Sequence, residues 1–222
     1  MSDYKSGVES MELKGKKIAF LGDSITEGCG TTSIDKTFWS IIAQRTGAEC
    51  YGYGIGGTRI APQQKLAEGE VDRYYATRVD SMIPDADIVV VFGGTNDYGH
   101  GDAPFGTFED RTNDTFMGAC HFLFSGLVKK YPDARIVVMT PLQTSYDQNP
   151  SANTGRPLMD YVDAIMEIAA HYSLPVLDLY RTAGICPRIP EQLTRFMPDG
   201  LHPNDAGAYR IAERLAAFLG AL

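Results

Sequence analysis

Nowhere does the 222-residue chain run to about 18 consecutive apolar residues, so the sequence offers no segment of the length a membrane-spanning helix needs. Its beginning, MSDYKSGVESMELKGKK, has no continuous apolar stretch of the kind a secretory signal requires, and a cytoplasmic location is the expectation. Cysteine is sparse: Cys29, Cys50, Cys120 and Cys186 stand far apart, without a Cys-x-x-Cys pair or a nearby histidine that would complete a zinc site. That spacing argues against a zinc site and predicts free, buried thiols. Positive charge is in short supply as well. Twenty Lys and Arg face 28 Asp and Glu, for a formal net charge of -8, so a phosphate backbone or an anionic lipid surface is repelled on average. The densest basic run, Lys14, Lys16 and Lys17, leads into an apolar run and reads as a solvated strand entrance. No nucleic-acid or membrane partner is expected, and nothing in the sequence assigns an oligomeric state.

What the chain does have is a hydrophobic fraction of 44% and enough length for one large core. Residues 1–14 read as an N-terminal extension and residues 15–222 as a single domain. Short apolar runs at 17–21, 49–53, 87–92, 135–140 and 175–179 alternate with longer stretches of helical periodicity at 36–46, 63–81, 107–131, 156–172 and 205–219. Three of the runs, among them DIVVVF and RIVVMT, are dense in β-branched residues with little polar alternation, as strands covered on both faces are. The expected fold is therefore α/β, with three α/β/α layers around a flavodoxin-like, doubly wound, parallel five-stranded sheet. The polar segment 143–154 and the Pro-containing segment 181–198 lack clear periodicity and are expected to be surface loops. In such a sheet ligands gather at the carboxyl ends of the strands, where strand order reverses.

Four motifs fall at those places. After the first strand comes Gly22-Asp23-Ser24-Ile25-Thr26-Glu27-Gly28, where Ser24 is either a nucleophile or a helix N-cap. After the second comes Tyr53-Gly54-Ile55-Gly56-Gly57-Thr58-Arg59, whose glycines let backbone N–H groups approach a ligand or simply make a tight turn. The third strand runs into Gly93-Gly94-Thr95-Asn96-Asp97-Tyr98, where Asn96 is an amide donor or an Asx-turn cap and Asp97 supports the turn. Near the end stands Asp199-Gly200-Leu201-His202-Pro203-Asn204, in which a carboxylate three residues before a histidine can hold Nδ1–H and leave Nε2 free, or merely cap the last helix. Acyl transfer needs a hydroxyl nucleophile, a base of near-neutral pKa, an orienting carboxylate and oxyanion donors. The sequence supplies each once.

In these four blocks the chain resembles the SGNH hydrolase superfamily, the GDSL-type esterases and lipases, over about residues 17–220. The resemblance implies Ser24, Asp199 and His202 as catalytic triad, and Ser24, Gly57 and Asn96 as the oxyanion hole. Two positions depart from the family pattern: Ile25 replaces the Leu of the family name, and Gly52 stands where many members carry Asn. Asp23, Thr58, Tyr98, His100 and Phe196 are candidate substrate contacts, whereas His121 reads as a core or interface histidine and His171 as the end of a helix. The implied reaction is hydrolysis of a carboxylic ester of a small molecule, with no metal or organic cofactor. The polar segment 143–154 suits a short acyl group on a hydrated alcohol such as a sugar. An acyl channel built from Ile185, Ile189, Leu193, Phe196 and Met197 would instead suit the longer chains of a lysophospholipase or thioesterase.

Two other classes fit parts of the pattern. Asp23, Asp97, Asp199 and His202 are hard ligands that a metal-dependent phosphoesterase could use, but no Asp-x-His or Gly-Asn-His motif accompanies them. A flavin-binding module would hold a phosphate at the Ser24 turn, against which Asp23 and Glu27 argue.

Overall fold

The computed structural model describes residues 12–222, so most of the expected N-terminal extension lies outside the described residues. In chain order the elements are β1 (Lys17–Gly22), α1 (Ser24–Glu27), α2 (Phe38–Thr46), β2 (Glu49–Gly54), α3 (Tyr75–Arg78), β3 (Ile88–Phe92), α4 (Thr95–Gly99), α5 (Phe116–Lys130), β4 (Arg135–Met139), α6 (Leu158–His171), β5 (Val176–Leu177), α7 (Leu179–Thr182), α8 (Pro190–Phe196) and α9 (Asp205–Gly220). The five strands are all parallel and lie in the order β2-β1-β3-β4-β5. This is the doubly wound order, and its reversal point falls between β1 and β3.

The strand sequences explain the three layers. Side chains alternate faces along a strand. Ala19, Leu21, Val89, Val91, Ile136 and Val138 accordingly pack with Phe116 and Phe124 of α5 and Tyr161 of α6 on one face. Ile18, Phe20, Val90, Phe92, Val137 and Met139 pack with Phe38 and Ile42 of α2 and Ile211 and Leu215 of α9 on the other. Strands so placed need apolar residues along their buried length, which is what IAFL of β1 and IVVVF of β3 provide. Helices α2, α5 and α9 begin on side-chain caps: Thr37 accepts Ser40 N–H, Thr115 accepts Gly118 N–H, and Asn204 accepts the N–H groups of Ala206 and Gly207.

Several expectations need correction. The helix expected over 63–81 is reduced to α3 followed by a single 3₁₀ turn at Val79–Ser81. Its first part is held irregular because the Asp72 carboxylate takes Gln63 N–H and the Asp102 carboxylate takes those of Gln64 and Lys65. The loop expected over 181–198 contains α8, started by Pro190 in its first turn, where a missing N–H costs nothing. Helix α5 starts at Phe116 rather than 107, because Asp110 bonds Thr107 and Thr115 into a preceding turn. Of the four free thiols only Cys120 is buried, and Cys29 is exposed. Among the described residues no helix is long and apolar enough to cross a membrane.

Candidate active site

Ser24 is the first residue of α1, at the carboxyl end of β1, so its N–H is one of the donors a helical turn leaves unpaired. Asp23 caps that turn by accepting Ile25 N–H at 3.0 Å. Ser24 Oγ lies 3.0 Å from His202 Nε2, and His202 Nδ1 lies 2.7 Å from Asp199 Oδ2. The other oxygen of Asp199 accepts the N–H groups of Leu201 and His202 at 2.9 and 2.7 Å, so the loop between α8 and α9 is folded around this carboxylate. Burial would raise the Asp199 pKa, but those two N–H bonds and the imidazole hold it below the ordinary carboxylate value. An ionised Asp199 on Nδ1 selects the tautomer in which Nε2 can accept a proton.

Above Ser24 sits the turn that follows β2. Ile55 N–H donates to Gly22 O at 3.2 Å, Gly56 N–H to Glu27 Oε2 at 2.8 Å, and Thr58 N–H to Ile55 O at 3.3 Å. Among the described residues the N–H of Gly57 has no protein acceptor. Gly57 has φ +72°, a left-handed conformation that favours glycine. A Cβ placed on Gly56 would lie 3.8 Å from Ser24 Cβ, so the turn abuts the serine directly. Asn96 in α4 donates its amide to Thr58 O at 2.9 Å, and the buried Asp97 carboxylate accepts the N–H groups of Ile60 and Ala61. The second and third motifs are thereby locked together beside the first.

A residue that sequence reasoning passed over stands beneath them. Arg78 is buried, and its guanidinium donates to Gly22 O, Tyr53 O, Thr58 Oγ1 and, through Nε, to Arg73 O. It ties the ends of β1 and β2 to the glycine turn. An arginine in an expected helix gives no hint of this, since the role arises only where carbonyls from distant segments converge. Asp23 and Asp97, both buried, have pKa values raised to about 6 by desolvation, against the pull of the backbone N–H groups they accept and of nearby cations.

The candidate substrate contacts divide in two. Asp23, Thr58, Tyr98 and Phe196 are buried and committed to protein partners: Thr58 Oγ1 to Ile55 O and Arg78, Tyr98 OH to the carbonyls of Tyr146 and Asn149, and Phe196 to the core face of α9 with the Arg210 guanidinium over its ring. His100 is exposed and lines a cavity of about 510 Å³ that begins at Gly56 and Gly57 and is walled by Arg59, Gln63, Lys65 and Arg73. Although much of the residue is exposed, partial desolvation of its ring against the cavity wall, and then the Arg59 charge, lower its pKa.

The segments 143–154 and 181–198 border the other side. Ser145 N–H donates to Gly200 O, and the Tyr146 ring stacks on Tyr98. Arg188 bonds both oxygens of the buried Asp147, pinning the two segments to each other. His121 and His171 lie away from the site: His121 is buried beside Tyr172 and Phe108, and His171 ends α6. Among the described residues no three His, Cys, Asp or Glu side chains are gathered so as to hold a metal ion, because Asp23 and Asp97 are each turned to backbone N–H groups.

A family model described as GDSL-like lipase/acylhydrolase matches residues 20–210. A GDSL lipase of Mycobacterium tuberculosis is 26% identical over 223 aligned positions, covering 95% of this chain and 84% of that protein. An acetylxylan esterase of Xylanibacter ruminicola is 24% identical over 216 positions, covering 90% of this chain but 42% of the esterase. The crystal structure of a protein from Lactobacillus plantarum superimposes with a TM-score of 0.80 at 33% identity, covering 93% of this chain and 97% of that one.

Proposed function

The chain belongs to the GDSL-like lipase/acylhydrolase family and is a carboxylic ester hydrolase, and we propose that it works as a serine esterase with Ser24 as nucleophile, His202 as general base and Asp199 as its orienting carboxylate. The observation that carries this reading is the unbroken chain from Ser24 Oγ through both nitrogens of His202 to Asp199, at 3.0 and 2.7 Å. Ser24 Oγ attacks the carbonyl carbon while its proton passes to His202 Nε2. The carbonyl oxygen becomes an oxyanion, met by the N–H groups of Ser24 and Gly57 and the second amide hydrogen of Asn96. Collapse expels the alcohol oxygen, which takes the proton from Nε2. A water molecule then attacks the acyl carbon with His202 again as base, releasing the acid and restoring Ser24.

For the substrate we propose a short acyl group, acetyl in the first instance, on an oxygen-rich alcohol such as a carbohydrate. The cavity that opens at Gly57 supports this, since its walls are mostly polar and offer Arg59, Gln63, Lys65, Arg73 and His100 rather than an apolar channel. Of the side chains that would build a channel for a longer chain, Ile185, Phe196 and Met197 are buried in the core under α9. The similarity to an acetylxylan esterase points the same way. The test is hydrolysis of p-nitrophenyl esters from acetate to octanoate, wild type beside Ser24→Ala, with chelator present. Fast, serine-dependent acetate cleavage is the expected result. Activity that survives Ser24→Ala sinks the nucleophile assignment, and rates that climb with chain length transfer the enzyme to the lipase or thioesterase side.

A further inference from the structure

We infer that Glu27 is a positioning residue for this reaction, its carboxylate fixing the Ile55–Thr58 turn so that the Gly57 N–H stays aimed at the developing oxyanion. The inference rests on the reading of Gly57 as an oxyanion donor given above. Glu27 ends α1, the same helical turn that Ser24 begins, and its Oε2 accepts Gly56 N–H at 2.8 Å. One short element thus carries the nucleophile at its first residue and a tether to the oxyanion turn at its last.

The arrangement around this bond shows why a side chain is needed. Helix α1 leans directly on the end of β2: a Cβ at Gly54 would come within 2.1 Å of Glu27 N, and the Trp39 indole, which donates to Thr26 O, fills the space over Gly52. Gly57 beyond is open, with no atom within 4 Å of where its Cβ would stand. Two adjacent glycines are the least restrained residues of any turn. Ile55 is held by Gly22 O before them, and Thr58 by Ile55 O and the Asn96 amide after them. Between those anchors the Glu27 carboxylate is, among the described residues, the one acceptor on either glycine N–H. Oxyanion stabilisation depends on donors that are fixed before the charge develops, so slack at Gly56 becomes misdirection at Gly57. A neutral acceptor performs this task as well as a charged one, and a carboxylate close to an oxyanion opposes it electrostatically. The bond, not the charge, is the useful part.

The experiment compares Glu27→Ala, Glu27→Gln and Gly56→Ala on p-nitrophenyl acetate, with thermal melts of each. Glu27→Ala is expected to lower kcat about tenfold, a fraction of the loss of a whole oxyanion donor, with KM within about twofold and an unchanged melting temperature. Glu27→Gln, whose carbonyl can still accept Gly56 N–H, should restore kcat to the wild-type value or above. A Cβ at Gly56 would sit 2.8 Å from Glu27 Oε2 and push the carboxylate off the N–H, so Gly56→Ala should reproduce the loss. Combined with Glu27→Ala it should add nothing, since both changes break one tie. A Glu27→Ala enzyme within twofold of wild type, a Glu27→Gln enzyme as poor as Glu27→Ala, or additive losses in the double variant would each overturn the inference. Failure of the underlying reading shows separately, as activity that survives Ser24→Ala.

Discussion

The side-chain amide of Asn96 donates to the backbone carbonyl of Thr58 at 2.9 Å, one residue past the Gly57 whose N–H has no protein acceptor among the described residues. One amide hydrogen anchors the glycine turn, and in the proposed mechanism the other meets the oxyanion, so that Asn96 would serve both geometry and chemistry. Replacing it with alanine removes an oxyanion donor and leaves a buried carbonyl unpaired. We expect kcat to fall by about 10²- to 10³-fold, and stability to drop by about 1–3 kcal/mol for the orphaned acceptor. Steady-state kinetics and urea melts read the two effects separately. An Asn96→Ala enzyme of full turnover would refute the donor role while leaving the anchor to be judged by its melt.

Asp199→Asn separates orientation from folding. The asparagine carbonyl can replace the oxygen that accepts Leu201 and His202 N–H, so the loop should keep its shape. The amide NH₂ would then face His202 Nδ1 and favour the tautomer with its proton on Nε2, opposite to what Ser24 needs. A loss of about 10²- to 10⁴-fold in kcat with an unchanged melt is expected. Because Asp199 is held ionised below the ordinary carboxylate range, its titration should not shape the wild-type rate near neutral pH. A rate profile with a carboxylate-like ionisation between pH 5 and 6 that persists in both Asp23→Asn and Asp97→Asn would contradict that.

How much of this was written plainly in the chain differs by element. The central strands were legible because burial on both faces forces runs such as IVVVF, and the four motifs because the residues after those strands meet at one sheet edge. The Asp199–His202 pairing within DGLHPN was local and therefore visible. What escaped depends on partners far off in sequence. The segment 63–74 has helical spacing, but Asp72 and Asp102 take its N–H groups and hold it irregular. Arg78 looks like a solvated helix residue until carbonyls from β1 and β2 converge on it. The hydrophobic residues of 181–198 read equally as channel or core, and only the packing under α9 puts Ile185, Phe196 and Met197 in the core, while Ile189 stays exposed. Pro190 was a local signal for a helix start that the surrounding Pro and charged residues masked.

Asp23 should make the protein less stable as pH rises. Its pKa is raised by burial from an unfolded value of 3.8 to about 6, so the folded state binds its proton more tightly. The stability this proton contributes is complete below about pH 4 and is lost progressively as pH climbs through about 6, after which it stays lost. Asp97 behaves in the same direction for the same reason. Asp23→Asn keeps an oxygen to cap Ile25 N–H but cannot ionise, and it should flatten part of this slope. Urea melts of the two proteins at pH 5 and pH 7.5 provide the comparison. The difference between them should be larger at pH 7.5, in favour of the variant, and an equal difference at both values would mean that Asp23 is not the titrating group.

Arg188 and Asp147 decide whether the segments beside the site can open. Asp147 is fully buried, and both its oxygens receive Arg188 Nη1 at 2.8 and 2.9 Å, while Arg188 Nη2 reaches Gln143 Oε1 at 3.0 Å. The arginine side chain is partly exposed, so the pair is weaker than one fully removed from water, but truncating it strands a carboxylate in the interior. A destabilisation of about 2–3 kcal/mol is expected for Arg188→Ala, discounted from the full cost of an unpaired buried charge for that exposure. Asp147→Asn should cost less, since it removes the charge along with the need for its partner. A pinned pair of segments also predicts hydrogen exchange at 143–148 that slows with the stability of the whole domain, because opening them requires breaking the ion pair. If those amides exchanged as fast in wild type as in Arg188→Ala, the segments would be moving independently of the bond, and a mobile lid over Ser24 would have to replace the rigid rim described here.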